Sequence, residues 1–312
     1  MNIRVTSQVQ TGNATAYIRT RNADFAKYQD QISSGLRVKK ASDAPSSFAA
    51  LSQAKSASAR FTSYAQTVGD ATSVLNAGVS ALQDVNSVLV RARQIAIEGA
   101  DSTLSSDPTS REALATEVDG LIGRALAAVN ARPDGKTLFS GTATDTPPFR
   151  VATTNASGRP ATVVYDGAAE RARTLTGQGQ TTDTRYVGSD VFQQPGADVF
   201  ASLIGLRDAL RNTTVTGPAN SDAINQRLRE VDAARGAIGD ATGEQASNLA
   251  TLAALEEHIA SVKVDSAARV GDLEGTDYAD AVVRLQEQEV ALQAIYSVTA
   301  RMFQTGLLNF IR

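Results

Sequence analysis

The only histidine of the 312-residue chain, His258, directly follows Glu256 and Glu257. Imidazole and carboxylates together are the material of a metal site or an acid–base pair. A helix, however, brings side chains together three or four positions apart, and neighbours at one and two positions point elsewhere. His258 therefore reads as a helix-surface residue. Gly177-Gln178-Gly179 begins like a phosphate-cradling loop but lacks the third glycine and the following helix, so it reads as a plain loop. No Gly-x-Ser-x-Gly run supplies a nucleophile elbow. The absence of cysteine removes disulfides, thiolate metal sites and a thiol nucleophile together. The close carboxylates Glu98 and Asp101, Glu112 and Glu117, and Asp277 and Asp280 fall at expected helix ends or polar faces, where acids favour the positive amino end of a helix. Asn13, Asn155 and Asn212 open triplets of the glycosylation type, which arise often by chance and receive no role. The expectation is a protein that is not an enzyme, with no catalytic residue, no cofactor and no metal.

What remains is helix. Hydrophobic residues make up 42% of the chain but lean on alanine, aromatics are 5%, and tryptophan is absent. Alanine has the highest helix propensity and little side chain to bury, so this composition favours closely packed helices over one wide core. A net charge of −3, with Arg and Lys scattered among Asp and Glu, offers no global attraction to nucleic acid or acidic lipid. No run reaches the ~18 to 20 apolar residues of a membrane span. The first ten residues lack the charged and apolar regions of a cleaved secretory signal. Zero cysteine is compatible with either compartment but suits a protein exported unfolded, and if the protein leaves the cell it does so by another route.

Both ends carry apolar stripes on a coiled-coil period. Ile18, Phe25 and Ile32 recur every seven residues, with Tyr28 and Leu36 three and four positions after the latter two; Tyr278, Leu285 and Leu292 repeat the pattern, Ile295 follows, and the chain closes on Leu307, Leu308, Phe310 and Ile311. Two readings of these stripes stay open on spacing alone: the core of an ordinary helical bundle, or the contacts of a polymer. For the second, the candidate assembly interface is Ile18, Phe25, Tyr28, Ile32, Leu36, Leu285, Leu292, Ile295, Leu308 and Phe310.

Between the ends, Asp43 with Ser42 and Pro45 reads as a helix start. Residues 61–99 then keep one stripe, through Phe61, Tyr64, Val68, Ala71, Leu75, Gly78, Leu82, Val85, Leu89, Ala92 and Ala96. That seam makes a rod of roughly 58 Å, at ~1.5 Å per residue. Gly99 and residues 101–106 break it. Asp107-Pro108 starts another helix, whose face is Leu114, Val118, Leu121 and Ala125 and which folds back on the rod. Arg132-Pro133-Asp134-Gly135 reads as a turn. Residues 137–198 are rich in Thr, Gly and Val, with the run 161–165 before Asp166-Gly167 giving a hairpin signal. Helix resumes over 200–211 and again over about 222–264, where Ile224, Leu228, Val231, Ile238, Gln245, Leu249, Leu252 and Ile259 form the stripe that partners the first rod. The fold expected is mainly α with a β-rich insert: an elongated antiparallel helical bundle or coiled-coil rod, its amino and carboxy segments packed together. The division expected is 1–41 with 275–312 as a terminal coiled-coil domain, 42–140 with 198–274 as a helical rod, and 141–197 as an outer β-rich domain.

Particular residues also carry a resemblance. Gln31-Ile32-Ser33-Ser34-Gly35-Leu36-Arg37-Val38 followed by Ala41-Ser42-Asp43-Ala44-Pro45 resembles the amino-terminal signature of the bacterial flagellin family. Ala81-Leu82-Gln83-Asp84-Val85 through Arg91-Ala92-Arg93-Gln94-Ile95-Ala96 resembles its next helix, and residues 285–312 its carboxy-terminal helix. The resemblance spans roughly the first 140 and last 110 residues and leaves the β insert out. Phe139-Ser140-Gly141-Thr142, Thr146-Pro147-Pro148-Phe149, Ser42-Asp43-Ala44-Pro45 and Leu308-Asn309-Phe310 are more similar to the branch of the family that joins hook to filament than to filament flagellins, whereas Arg312 at the end is more similar to the latter. The resemblance implies export through the flagellar type III pathway, an extracellular place in the flagellum, terminal helices lining a tube and an outward-facing domain. The partners it implies are further copies of the chain in a ring or tube, other hook-associated and flagellin subunits, and an export chaperone, with no nucleic acid and no membrane. The alternatives are a short filament flagellin and a non-flagellar secreted coiled-coil binding or translocator protein.

Overall fold

In the computed structural model, residues 2–101, 107–212 and 218–308 are described. The chain is mainly helical: α1 (Asn2–Ser34), α2 (Pro45–Ala100) and α3 (Pro108–Val129) precede the strands β1 (Phe149–Thr154), β2 (Pro160–Tyr165), β3 (Ala172–Gly177) and β4 (Gln180–Arg185). A short α4 (Gly188–Phe192), the two-residue strands β5 (Gln193–Gln194) and β6 (Ala197–Asp198), α5 (Val199–Arg211), α6 (Pro218–Glu274) and α7 (Tyr278–Leu308) complete it. Two compact units result: Met1–Arg60 with Val262–Arg312, and Phe61–Ser261.

In the larger unit the predicted seam is the core. From Val68 to Ala96 every seam position of α2 is buried, and Ile224, Val231, Ile238, Gln245, Leu252 and Ile259 of α6 are buried with it. The two helices run antiparallel. A Cβ on Gly78 would meet Gln245 at 2.6 Å, Arg93 pairs with Asp232 at 2.9 Å, and a Cβ on Gly99 would lie 3.6 Å from Ile224. Glycine at 78 thus makes room for the glutamine in an otherwise apolar seam. α3 starts as predicted, with the Asp107 carboxylate accepting from the Thr109 and Ser110 amides and Pro108 in the first turn. Its buried face includes Val118, Leu121 and Ala125, and Arg91 of α2 clasps Glu117 at 2.6 Å.

Three sequence readings need correction. Asp43 does not cap α2; its carboxylate accepts from the Lys39 and Lys40 amides at 3.0 Å, so it closes the preceding loop. α6 extends well beyond 222–264, because residues 260–274 lose the apolar stripe but contain helix formers and no proline. Asp166-Gly167 is not a hairpin turn. β2 pairs backwards with β1, around a turn in which Asn155 Oδ1 accepts from the Ser157 and Arg159 amides at 3.0 Å. Gly167 instead packs so tightly against the Tyr165 ring that a Cβ would collide with it. β3 and β4 are joined across Gly177-Gln178-Gly179, a plain turn as expected.

The buried aromatics gather where the insert meets the helices. Phe192 stands edge-on to Phe139 and Phe149 at 4.8 and 5.7 Å between ring centres, and Phe149 also contacts Phe200 and Tyr165 at 5.3 Å each. The insert is tied to α6 by Tyr186, whose hydroxyl accepts from Asn248 Nδ2 at 2.7 Å. The Arg171 guanidinium lies 4.8 Å over the Tyr186 ring and pairs with Glu244. Two arginines are buried outright. Arg207 donates to the Pro160 carbonyl at 2.6 Å and pairs with Asp119 at 3.3 Å. Arg111 donates to the Ala209 and Asn212 carbonyls at the end of α5, where a cation meets the negative helix terminus.

Candidate assembly interface

The smaller unit is built on α1 and α7, which pack side by side and antiparallel. Its seam is mixed. Ile18, Phe25, Tyr28, Ile32 and Leu36 of the amino segment and Leu285 and Ile295 of α7 are half-buried, and Leu292 is buried at 8% exposure. At mid-seam Arg21 Nη1 donates to Gln288 Oε1 at 2.9 Å, and Gln288 is itself 8% exposed. Leu308 ends α7, with its side chain outside what is described; Phe310 lies outside the described residues. Tyr278, placed on the partner-facing stripe by its spacing, is 55% exposed. Its hydroxyl instead covers Gly35, where a Cβ would approach to 2.8 Å.

The loop leaving α1 crosses the connection between α6 and α7. Leu36 and Gly275 form an antiparallel bridge, with the Arg37 amide donating to the Glu274 carbonyl at 2.6 Å and the Thr276 amide to the Gly35 carbonyl at 3.0 Å. Gly35 has φ +70°, which favours glycine at this turn. Arg37 Nη2 donates to the Leu273 carbonyl at 3.0 Å, and Lys55 pairs with Glu274. Below usual carboxylate values lies the pKa of Asp43, held down by the Lys39 and Lys40 amides it accepts from, with nearby Lys40 and Lys27 adding to the effect.

The outward side of this pair is apolar to an unusual degree. Twelve large apolar side chains are exposed among the described residues, and nine of them lie in this unit, the exceptions being Val90, Ile97 and Leu175. Tyr17, Val290, Tyr296 and Val298 are 51 to 66% exposed. Ala14, Tyr17, Ile295 and Val298 line an open apolar groove between α1 and α7. Spacing alone did not separate covered from uncovered positions, since Val290 and Val298 fall outside the stripe. His258 is exposed on α6. Among the described residues no three His, Cys, Asp or Glu gather as a metal site, and no helix is long and apolar enough to cross a membrane.

Residues 5–144 match the model of the bacterial flagellin N-terminal helical region. Flagellar hook-associated protein 3 of Escherichia coli strain K12 is 24% identical over 96% of this chain and 97% of its own length. Among solved structures, a putative flagellar hook-associated protein from Vibrio parahaemolyticus superposes with a TM-score of 0.65 at 20% identity, covering 75% of this chain and all of its own. The flagellar junction protein FlgL of Legionella pneumophila does so at 0.59 and 16%, covering 72% and 99%. At these identities the solved structures bear on the fold. The amino-terminal part of the chain thus matches the bacterial flagellin N-terminal helical region, and along nearly its whole length the chain is similar to flagellar hook-associated protein 3.

Proposed function

We propose that the protein is a structural subunit of the bacterial flagellum that joins hook to filament, assembling through its terminal helices after type III export. The observation that carries this is the α1/α7 pair, where Ala14, Tyr17, Ile295 and Val298 line an open apolar groove and Val290 and Tyr296 are exposed elsewhere on α7. Monomeric proteins seldom leave such patches uncovered unless another chain covers them. In this reading Ile18, Phe25, Tyr28, Ile32, Leu36, Leu285, Leu292, Ile295, Leu308 and Phe310 hold the terminal pair together or meet neighbouring subunits. Residues 1–41 with 275–312 form the polymerising domain, 42–140 with 198–274 the rod, and 141–197 an outer domain. The protein acts as a secreted, extracellular structural component rather than an enzyme and takes no cofactor; its partners are its own copies, other hook-associated and flagellin subunits, and a chaperone before export. The similarity to hook-associated protein 3 over nearly the full chain supports the same reading. Deleting the gene tests it: cells should keep hooks, lose filaments and shed flagellin into the medium. Hooks that still carry filaments, or a loss of flagellin itself, would overturn it.

A further inference from the structure

Charge is divided unequally along the chain. Residues 1–60 hold nine Arg or Lys against three Asp, whereas residues 61–261 hold sixteen against twenty-three acids. The cations gather at one place in the smaller unit: a cleft between the last turns of α1 and the loop after it, lined by Lys27, Arg37, Lys39 and Lys40, with Ala23 and Ala26 in its wall. Asp30 and Asp43 also line it. Lys39 is held by Asp30 at 2.7 Å and Asp43 is occupied by loop amides. Lys27 and Lys40 make no ion pair among the described residues, although both lie near enough to Asp43 to favour its charged form, so four cations face two carboxylates and the cleft keeps a net positive charge.

A complementary surface lies in the other unit. Glu256 and Glu257 are exposed side by side on α6, with no ion pair among the described residues. Their exposed neighbours one helical turn away are Ala253, Ala254, Ala260 and Ser261, while Leu252 and Ile259 are buried beneath them. Small side chains around two projecting carboxylates let a second surface approach the helix closely. We propose that the basic cleft seats the Glu256–Glu257 face of α6 from a second copy of this chain. The proposal rests on the assembly reading above and names a contact that assembly uses. Close approach of alanine to alanine would partly desolvate the ion pairs, where they gain strength, and complementary charge of this kind sets which neighbour docks and in what register more than it sets raw affinity.

The absence of cysteine gives a clean test. Full-length Lys40→Cys and Glu257→Cys copies, carrying different tags, are expressed together in cells lacking the wild-type gene, and assembled flagella are treated with a short bismaleimide. A cross-linked pair bearing both tags is expected. Reversing the cleft with Lys27→Glu and Lys40→Glu should cut filament-bearing hooks about tenfold, from two partly desolvated pairs at the upper end of the range for surface ion pairs, without moving the melting curve; co-expressed Glu256→Lys/Glu257→Lys should restore them. Missing cross-links in junctions that do form, with both cysteines open to a maleimide probe, would overturn the docking alone. So would an adduct joining the cleft to a different protein. Filaments on the hooks of cells lacking the gene would instead overturn the assembly reading.

Discussion

The α2/α6 seam and the α1/α7 pair follow the same spacing and end in opposite states. In the first, Val68 through Ala96 of α2 are sealed; in the second, among the described apolar residues of α7, only Ala281 and Leu292 reach burial. Apolar content does not explain the contrast, because α7 carries Val, Leu, Ile and Tyr throughout. What differs is cover. α3, α5 and the insert close the larger unit around its seam, while a pair of helices leaves much of each cylinder facing water. Helices gain most of their stability from tertiary packing, so one pattern yields a self-sufficient core in one place and a half-covered surface in the other.

The largest expected effect probes that contrast directly. Leu89→Asp should destabilise the larger unit by about 4 kcal/mol or more, since it places an unpaired charge in a sealed seam. Leu292→Asp, which lies in the other unit, should move the melting transition of the larger unit by under about 1 kcal/mol, yet abolish incorporation into flagella. Similar melting shifts for the two variants would erase the distinction. Calorimetry with a filament-attachment assay reads both.

Alkaline pH tests the sealed side alone. Burial, helped by the charge of Glu244, pushes the Tyr186 hydroxyl up to about 12. The unfolded tyrosine ionises near 10, so stability from this group is complete below pH 10 and is lost as pH rises through 12, by up to roughly 3 kcal/mol. Tyr186→Phe should remove that alkaline loss and cost about 1 kcal/mol at neutral pH, because the Asn248 amide loses its acceptor. Denaturant midpoints between pH 8 and pH 11, taken in both proteins, decide it; parallel pH profiles would contradict the assignment.

On the uncovered side, limited proteolysis of the free subunit should trim about the first forty and last thirty-five residues and leave a resistant fragment unable to join hooks, as expected of marginally packed ends. Full protection of both ends in a monomer would mean that the pair is as stable as the seam. The smallest effect is expected at Gln288. Polar residues in a two-helix seam fix register at some cost in stability, so Gln288→Leu should change stability by under about 1 kcal/mol while letting α1 slide against α7. Engineered cysteine pairs, in register and displaced by one turn, would report the slippage; a single register in the variant would show that Arg21–Gln288 is incidental.

The long seams could be read from the chain because their information is local. A three-four spacing from Val68 to Ala96 already puts every apolar group on one line, and Asp107-Pro108 carries its cap within a single turn. The insert resisted because hairpin register depends on which strands meet. Asp166-Gly167 looks like a tight turn in isolation but serves as the corner over Tyr165, and the true turn rests on Asn155, which had been noted only as part of a chance triplet. Arg111 and Arg207 gave no hint of burial, since their acceptors lie on segments distant in sequence.

The terminal stripes mark the boundary between the two kinds of information. Backbone periodicity sets which side chains share a helix face, and it is decided residue by residue along the chain. Whether that face is covered depends on how many other elements arrive beside it. For Leu89 they arrive within the subunit; for Tyr17, Val290 and Val298 they do not. Only the packed structure separates the two, because burial is a property of all the neighbours at once.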